Sequence, residues 1–223
     1  MPLNLALDGP VGAGKSTVAD AVASRLGILH LDTGAMYRAV GLAALRAGVN
    51  LEDEAQVDAL CKRINLDVRY AADGQHTLLD GEDVTGLIRT ERVSMAASTV
   101  AQYAPVRAAM VALQQALAAR QNMLLDGRDI GTRVLPNATV KIYLTASAEA
   151  RAMRRYAELQ KRGVKADYAQ VLADLHKRDE QDMNRTVDPL RAAEDAVVVD
   201  TTHMTFDESV EAILRVVEAK KNA

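Results

Sequence analysis

The sequence of 223 residues predicts an α/β fold, in which layers of helices cover a central parallel sheet. Short apolar stretches alternate with segments of helical periodicity along most of the chain. The stretch at 3–8 is typical of a short apolar strand, and those at 123–126 and 140–145 are compact apolar runs typical of strands buried on both faces. Because helices separate these strands along the chain, we expect parallel pairing through crossover connections.

The individual elements follow from periodicity and from the residues that end them. Gly27 and Gly48 end the first two helices, and Pro105 separates two later ones. The sheet strands are predicted at 3–8, 28–31, 123–126, 140–145 and 197–200. Helices are predicted at 14–26, 34–47, 54–62, 90–102, 106–120, 148–162, 168–185 and 206–219.

One part of the chain departs from this alternation. Short extended pieces at 66–71, 76–80 and 83–87 are separated by Asp73-Gly74 and Asp80-Gly81, which are tight-turn dipeptides. They predict a small antiparallel meander inserted into the α/β chain.

Composition excludes several classes of protein. The 27 Lys+Arg and 30 Asp+Glu give a net charge of -3, and with six Tyr, one Phe and no Trp this argues against nucleic-acid binding. No apolar run is long enough to span a membrane, and residues 1–4 lack the basic start of a secretory signal, so we expect a cytoplasmic protein. The single Cys61 excludes an internal disulfide, and the four histidines include no close pair, so we expect no structural zinc.

The basic residues are unevenly divided, with 19 Arg and 8 Lys. Arginine suits planar, bidentate contacts with carboxylate or phosphate groups. The excess of arginine therefore favours recognition of a small anionic ligand.

A phosphate-binding turn follows the first strand. Its sequence fits the pattern G-x-x-x-x-G-K-[ST] and lies between a predicted strand and a predicted helix, as that motif requires. Backbone N–H groups of such a loop surround a phosphate, Lys15 reaches the β and γ oxygens of ATP, and the Ser16 hydroxyl binds Mg²⁺. The alternative is a glycine-rich connection without chemistry. The candidate ATP-binding residues are Gly9, Pro10, Val11, Gly12, Ala13, Gly14, Lys15, Ser16 and Thr17.

Further motifs occur in register along nearly the whole chain, at 31–38, 126–132 and 178–185. With the P-loop, they closely resemble those of the nucleoside monophosphate kinases, and among these the bacterial cytidylate kinases. The resemblance implies a P-loop NTPase three-layer fold with a small antiparallel β insert and a helical lid. It implies one kinase domain over 1–223, with a core at 1–64, 90–146 and 186–223, an insert at 65–89 that binds the nucleoside monophosphate, and an arginine-rich lid at 147–185.

The resemblance also assigns roles in binding CMP. It implies that Arg38 contacts the α-phosphate beside the Thr33 hydroxyl, and that Ser98 and Arg107 bond the edge of the cytosine. From the residues alone, Thr33 can equally be a helix N-cap and Arg38 a surface charge. Ser98 alone is more typical of helix packing.

Charged residues follow the predicted strand at 123–126. The resemblance implies that Arg128 contacts the acceptor phosphate and that Asp129 accepts a hydrogen bond from the cytosine amine. Asp126 can orient water bound to Mg²⁺. The alternative is an Asp-Gly turn whose charges pair with each other.

Arg178, Asp182 and Arg185 are spaced i, i+4, i+7 and so share one helical face. The resemblance implies that Arg178 and Asp182 contact the ribose and that Arg185 contacts the phosphates. An ion-pair ladder within the helix is the alternative.

Arg151, Arg154, Arg155 and Arg162 lie on or near one face of a helix, where like charges repel. Glu158 can pair with Arg154 but cannot neutralise all four. This cluster predicts a lid that closes over the triphosphate, with Arg133 as a further member. A solvated charged helix is the alternative.

Together these patterns predict a kinase that moves the γ-phosphoryl group of Mg·ATP in line onto the α-phosphate of CMP or dCMP. Lys15, Arg128, Arg155 and Arg185 are its candidate catalytic residues, and we expect a monomer. The rivals are a P-loop kinase for UMP, AMP or a metabolite hydroxyl, and a non-catalytic nucleotide sensor whose lid and insert contact a protein partner.

Overall fold

The computed structural model describes residues 2–161 and 163–221. It divides into two compact units, Met1–Leu29 with Gln121–Ala223, and His30–Arg120. A π-helix occupies Ile130–Val134. The other elements are β1 Asn4–Asp8, α1 Lys15–Leu26, β2 Leu29–Asp32, α2 Thr33–Ala47, α3 Glu54–Cys61, β3 Leu66–Ala71, β4 Gly74–Leu79, β5 Glu82–Asp83, α4 Glu91–Val100, α5 Ala104–Ala118, β6 Met123–Gly127, β7 Val140–Thr145, α6 Ala148–Lys161, α7 Tyr168–Asn184, β8 Val197–Asp200 and α8 Phe206–Lys221.

The first unit is built on the parallel sheet that the sequence predicts. The strand order is β2-β6-β1-β7-β8, and β2 enters at Leu29, whose N–H donates to the Asn122 carbonyl. β1 is parallel to β6 and to β7, and β7 is parallel to β8. Carboxyl ends of parallel strands lie at one edge of a sheet, so this topology brings Asp8 and Asp126 to the same edge. The predicted fold class is confirmed.

The core of this unit forms where α1 and α8 pack on the sheet. Val18 and Val22 of α1 and Ile213 of α8 join leucines of β1 and β7 in one buried apolar cluster. Such burial contributes about 1.5–3 kcal/mol for each large side chain. The helices thus hold the strand ends, and the loops that follow them, in fixed positions.

The second unit packs helices around a small core. Asp32 caps α2 by accepting from the Ala35 N–H, so the alternative that Thr33 is the N-cap is wrong. α2 and α4 approach closely at Gly41, where a Cβ would lie 2.8 Å from the Ala97 nitrogen.

The predicted antiparallel meander is present as β3-β4-β5. The strand predicted at 83–87 is wrong, because β5 stops at Asp83 and a turn follows in which the N–H groups of Leu87 and Ile88 both donate to the Val84 carbonyl. Val84 and Ile88 are both buried in the core of this unit, on either side of that turn.

The two helices of the predicted lid segment, α6 and α7, are present. Arg162, the last residue predicted for the first of them, lies outside the described residues. The π-helix that follows β6 is a feature that the sequence did not indicate. Within the described residues, no helix combines the length and the apolar character needed to cross a membrane.

Candidate functional site

The phosphate-binding turn adopts the expected geometry between β1 and α1. Gly12 and Gly14 have left-handed backbone conformations, with φ of 75° and 83°. A Cβ on Gly9 would lie 2.0 Å from the Leu144 carbonyl oxygen of β7, so only glycine fits there. The loop can therefore present consecutive N–H groups at the N-terminus of α1, where an anion is favoured.

Lys15 lies at the start of α1 and is buried. Its Nζ donates to the Pro10 carbonyl at 2.7 Å. Burial, aided by the nearby charge of Arg128, lowers the pKa of Lys15 to about 7. An anion near Nζ would favour the protonated form, so the site is prepared to bind a polyphosphate.

Ser16 and Asp126 form the candidate metal site. The Ser16 hydroxyl donates to Asp126 Oδ2 at 2.7 Å, and Asp126 is buried at the end of β6. A hydroxyl beside a buried carboxylate fits Mg²⁺, which prefers oxygen ligands and uses few from the protein. Among residues 2–161 and 163–221 there is no group of three or more His, Cys, Asp or Glu side chains that could hold a metal ion.

Two ion pairs join the loop after β6 to the end of α7. Arg128 Nε donates to Asp182 Oδ2 at 2.7 Å, and Arg185 bonds Asp129 Oδ1 at 3.2 Å. Burial alone would lower the pKa of Arg128, but the Asp182 carboxylate raises it above the usual value. Arg185 also donates to the Asp188 carbonyl. These pairs connect residues that lie 54 and 56 residues apart along the chain.

The lid arginines differ in their surroundings. Arg151 is buried and bonds Asp179 at 2.6 Å, the Val11 carbonyl at 2.9 Å and the Ala146 carbonyl at 2.9 Å. Arg154 donates to the Thr201 carbonyl at 2.5 Å.

Arg155 pairs with Glu158 at 2.8 Å, a pair that the sequence analysis did not name. Arg133 lies 3.7 Å from Asp188. Among the described arginines of the predicted cluster, Arg151 and Arg155 thus each have a carboxylate partner, whereas Arg154 donates to a backbone carbonyl.

In the second unit, Arg38 Nη2 donates to Asp32 Oδ2 at 2.6 Å. Gln75 of β4 fixes the backbone of Asp32 by accepting from its N–H at 2.7 Å and donating to its carbonyl at 3.3 Å. The meander therefore contacts the segment that carries Thr33 and Arg38. Thr33 itself is buried at the first position of α2.

Arg107 is fully buried on α5, which is unusual for a charged side chain. Its guanidinium lies over the ring of Tyr37 at 5.5 Å and donates to the Ala101 carbonyl at 3.2 Å. Ser98 lies on α4 and is partly exposed.

Four residues that were not candidates in the sequence contact candidate residues or the backbone beside them: Asp8, Tyr37, Gln75 and Thr201. A signal existed only for Asp8, which follows a buried strand as Asp126 does. The partners of the others lie far away along the chain, so their positions follow no local pattern.

The chain is similar to known proteins over nearly its whole length. The family model described as cytidylate kinase matches residues 5–219. The chain is 47% identical over 212 residues to a cytidylate kinase of Caldicellulosiruptor bescii, covering 95% of this chain and 94% of that protein. It is 49% identical to one of Shouchella clausii, with 96% of each chain covered, and 46% identical to one of Bacillus subtilis, with 98% and 97% covered.

Solved structures share the fold at low sequence identity. An uncharacterized protein from Eubacterium ventriosum has a TM-score of 0.54 at 11% identity, covering 98% of this chain and 99% of that one. A gluconokinase from Sinorhizobium meliloti has a TM-score of 0.51 at 15% identity, covering 99% and 95%. These similarities concern the fold alone.

Proposed function

The chain belongs to the cytidylate kinase family, and we propose that it transfers the γ-phosphoryl group of ATP onto the α-phosphate of CMP and dCMP, forming CDP and dCDP. The observation that carries this proposal is the family match over residues 5–219 of a chain whose P-loop has the geometry of a phosphate site.

Transfer between two phosphates needs no protein nucleophile, because the acceptor oxygen is already anionic. The protein instead positions the two phosphates and stabilises the charge that spreads over the transferred group. Lys15, Arg128, Arg155 and Arg185 serve this purpose in the proposed mechanism. Lys15 acts from the P-loop and the arginines act from the segments after β6 and on the lid.

Mg²⁺ is the proposed cofactor, supplied with ATP. Ser16 Oγ and the Asp126 carboxylate, 2.7 Å apart, would hold it directly or through water. The ion neutralises phosphate charge and orients the phosphates of ATP. Before the ion binds, the hydrogen bond to Asp126 orients the Ser16 hydroxyl.

The CMP-binding residues retain the roles that the family resemblance implies. Arg38 and Thr33 take the acceptor phosphate, with Ser98 and Arg107 at the cytosine. Arg128 contacts the phosphate, and Arg178, Asp182 and Arg185 contact the ribose and phosphates. Supporting observations are the buried guanidinium of Arg107 and the ion pairs that hold Arg38 and Arg128 in defined positions.

The proposed organisation keeps the core at 1–64, 90–146 and 186–223, the insert at 65–89 and the lid at 147–185. The bonds from Gln75 to Asp32 support a role of the insert near Arg38. On the lid, Arg154 and Arg155 are proposed to bind the triphosphate. We also propose that the protein is a cytoplasmic monomer. Size-exclusion chromatography with light scattering tests the oligomeric state.

A coupled assay of ADP formation tests the activity. The purified protein is given Mg·ATP with CMP, dCMP, UMP or AMP, and we expect turnover that depends on CMP or dCMP. A higher rate with UMP or AMP would identify a kinase for another acceptor. No ADP formation with any acceptor would favour a non-catalytic nucleotide sensor, and ADP formation that is independent of the acceptor would indicate hydrolysis of ATP instead of transfer.

The Asp129→Asn variant tests base recognition. A carboxylate accepts from the amine of cytosine, whereas uracil presents a carbonyl oxygen and leaves Asp129 without its bond. Such mispairing costs about 1–3 kcal/mol, so we expect the wild-type enzyme to prefer CMP over UMP in kcat/KM by tens-fold or more, and the variant to lose most of this preference. Asp53→Asn, at the exposed N-terminus of α3, is the matched control. An unchanged ratio of kcat/KM values would refute the role of Asp129.

A further inference from the structure

Asp8, the last residue of β1, is a buried carboxylate outside the roles assigned above. Its Oδ1 accepts from the Ile130 N–H and its Oδ2 from the Gly131 N–H, both at 2.7 Å. Both carboxylate oxygens are thus used by backbone groups 122 and 123 residues away. The side chain joins the strand that precedes the P-loop to the loop that follows β6.

The two amides open the π-helix at Ile130–Val134, directly after Asp129. Helix N-termini leave N–H groups without partners, and a carboxylate is a strong acceptor for them. π-helical turns are rare and are frequently found at functional sites. Asp8 therefore caps a helical turn of unusual geometry from outside the segment.

Gly131 has little space beside Asp8. A Cβ at this position would lie 3.3 Å from Asp8 Oδ2 and 3.2 Å from Lys141 Cδ. A Cβ there would require the Asp8 carboxylate or the Lys141 side chain to shift by a few tenths of an ångström. A substitution at Gly131 therefore perturbs the contact between Asp8 and the π-helix.

The surroundings of Asp8 disfavour the charged form of its carboxyl group. Burial raises the pKa of Asp8 to about 6, against the opposing effect of the two backbone bonds, and Asp129 raises it further while Lys15 lowers it. An apolar residue would avoid this penalty but would leave two N–H groups without acceptors.

Asp129 is restrained from two directions. Its backbone continues into the turn capped by Asp8, and its Oδ1 is bonded by Arg185 at 3.2 Å. Discrimination between bases requires that a carboxylate be held within a fraction of an ångström of its productive position.

We propose that Asp8 is a positioning residue for base recognition, which holds the π-helical turn so that Asp129 meets the cytosine amine. This inference rests on the proposed function. Asp8 acts through Asp129 and does not touch the substrate.

The test compares Asp8→Asn with the wild-type enzyme. Asparagine keeps the size of the side chain but turns an NH₂ group toward one of the two N–H donors. We expect KM for CMP to rise on the order of tenfold, and the CMP/UMP ratio of kcat/KM to fall similarly, while KM for ATP changes less than about threefold. Asp53→Asn is the control for the same chemical change at an exposed backbone bond.

Two more variants separate positioning from loss of structure. Gly131→Ala presses on the same contact without touching Asp8, and we expect it to lower the CMP/UMP ratio in the same direction. If Asp8→Asn does not fold, Gly131→Ala decides alone. In an Asp129→Asn background, Asp8→Asn should lower the ratio no further, because the residue through which it acts is already changed.

The outcomes distinguish this inference from the proposed function. If Asp129→Asn lowers the CMP/UMP ratio but Asp8→Asn and Gly131→Ala do not, the inference on Asp8 is overturned and the proposed function stands. A larger effect on KM for ATP than on KM for CMP also overturns it, since Asp8 would then act on the P-loop. If the wild-type enzyme shows no preference for CMP, the proposed base recognition itself has failed.

Discussion

Lys15 and Asp8 lie on either side of the P-loop turn, and burial moves their pKa values toward neutrality from opposite directions. The pKa of Lys15 is lowered to about 7 and that of Asp8 is raised to about 6. In each case the buried side chain keeps hydrogen-bond partners on the backbone. Buried ionisable groups with shifted pKa values are typical of functional sites, and these two flank the predicted phosphate site.

Replacing Lys15 by alanine should abolish turnover and leave the fold intact, because the phosphates lose their main cation while the helix keeps a good helix former.

The lowered pKa of Lys15 predicts that protons are taken up when ATP binds. At pH 8 Lys15 is mostly neutral in the free protein, and bound phosphates favour its protonated form, so ATP binding should take up nearly one proton.

Calorimetry in two buffers of different ionisation enthalpy measures this uptake at pH 8. The Lys15→Ala variant should lack the lysine contribution, and circular dichroism checks its fold. Retained turnover, or equal proton uptake in both proteins, contradicts the role of Lys15.

At the scale of elements, the lid helices are tied to each other and to the P-loop by one buried guanidinium. Arg151 of α6 bonds Asp179 of α7 and the Val11 carbonyl, and both members of the ion pair are almost fully buried. Arg155, one turn further along α6, forms an exposed pair with Glu158. The helical pattern placed both arginines in one cluster, but one is buried and the other is exposed.

The two arginines should therefore differ in their effect on stability. Arg151→Ala leaves a buried carboxylate without its partner and should lower the free energy of unfolding by about 3–5 kcal/mol. Arg155→Ala should lower it by about 0–1 kcal/mol.

Urea denaturation followed by circular dichroism compares the two variants. We also expect Arg155→Ala to slow phosphoryl transfer, as measured in the coupled assay. A fully stable Arg151→Ala protein would contradict the structural role of that residue, and an unchanged rate would make Arg155 a surface charge.

At the scale of the whole molecule, a near-neutral net charge of -3 coexists with buried and paired charges in both units. The arginine excess, which predicted an oxyanion-binding protein, is largely matched by carboxylates. Arg38, Arg128, Arg151 and Arg185 each have an aspartate partner. A bound phosphate would have to share or replace these partners.

The pH dependence of global stability should reflect Asp8. Because its folded-state pKa lies above the unfolded value of 3.8, its stabilising contribution is complete below about pH 4 and is lost as the pH rises through about 6. A shift of about two units corresponds to about 3 kcal/mol.

The free energy of unfolding of wild type minus that of Asp8→Asn should therefore fall by up to about 3 kcal/mol between pH 4 and pH 7. Lys15, with its lowered pKa, acts in a separate window and adds stability only as the pH rises from about 7 toward 10.5. A pH-independent difference in urea denaturation would show that Asp8 does not titrate in this range.

Much of the fold could be predicted from the sequence. Apolar runs located β6 and β7, glycines marked the ends of α1 and α2, and Asp-Gly turns located the meander. The prediction of a strand at 83–87 was wrong, because a turn that buries Val84 and Ile88 follows Asp83. A short apolar segment does not reveal whether it forms a turn or a strand. The π-helix shows no periodicity in the sequence, and its first two N–H groups find their acceptors on Asp8, more than 120 residues away.

The sequence by itself determined the order of the elements, the phosphate-binding turn and the family, because these depend on local periodicity and on residue spacing. Only the tertiary structure decided which groups meet. Arg128 and Asp182 are 54 residues apart, and Asp8 and Ile130 are 122 apart. Partners at such separations are brought together by the packing of helices on the parallel sheet, whose strand order leaves no trace in any short segment of the chain.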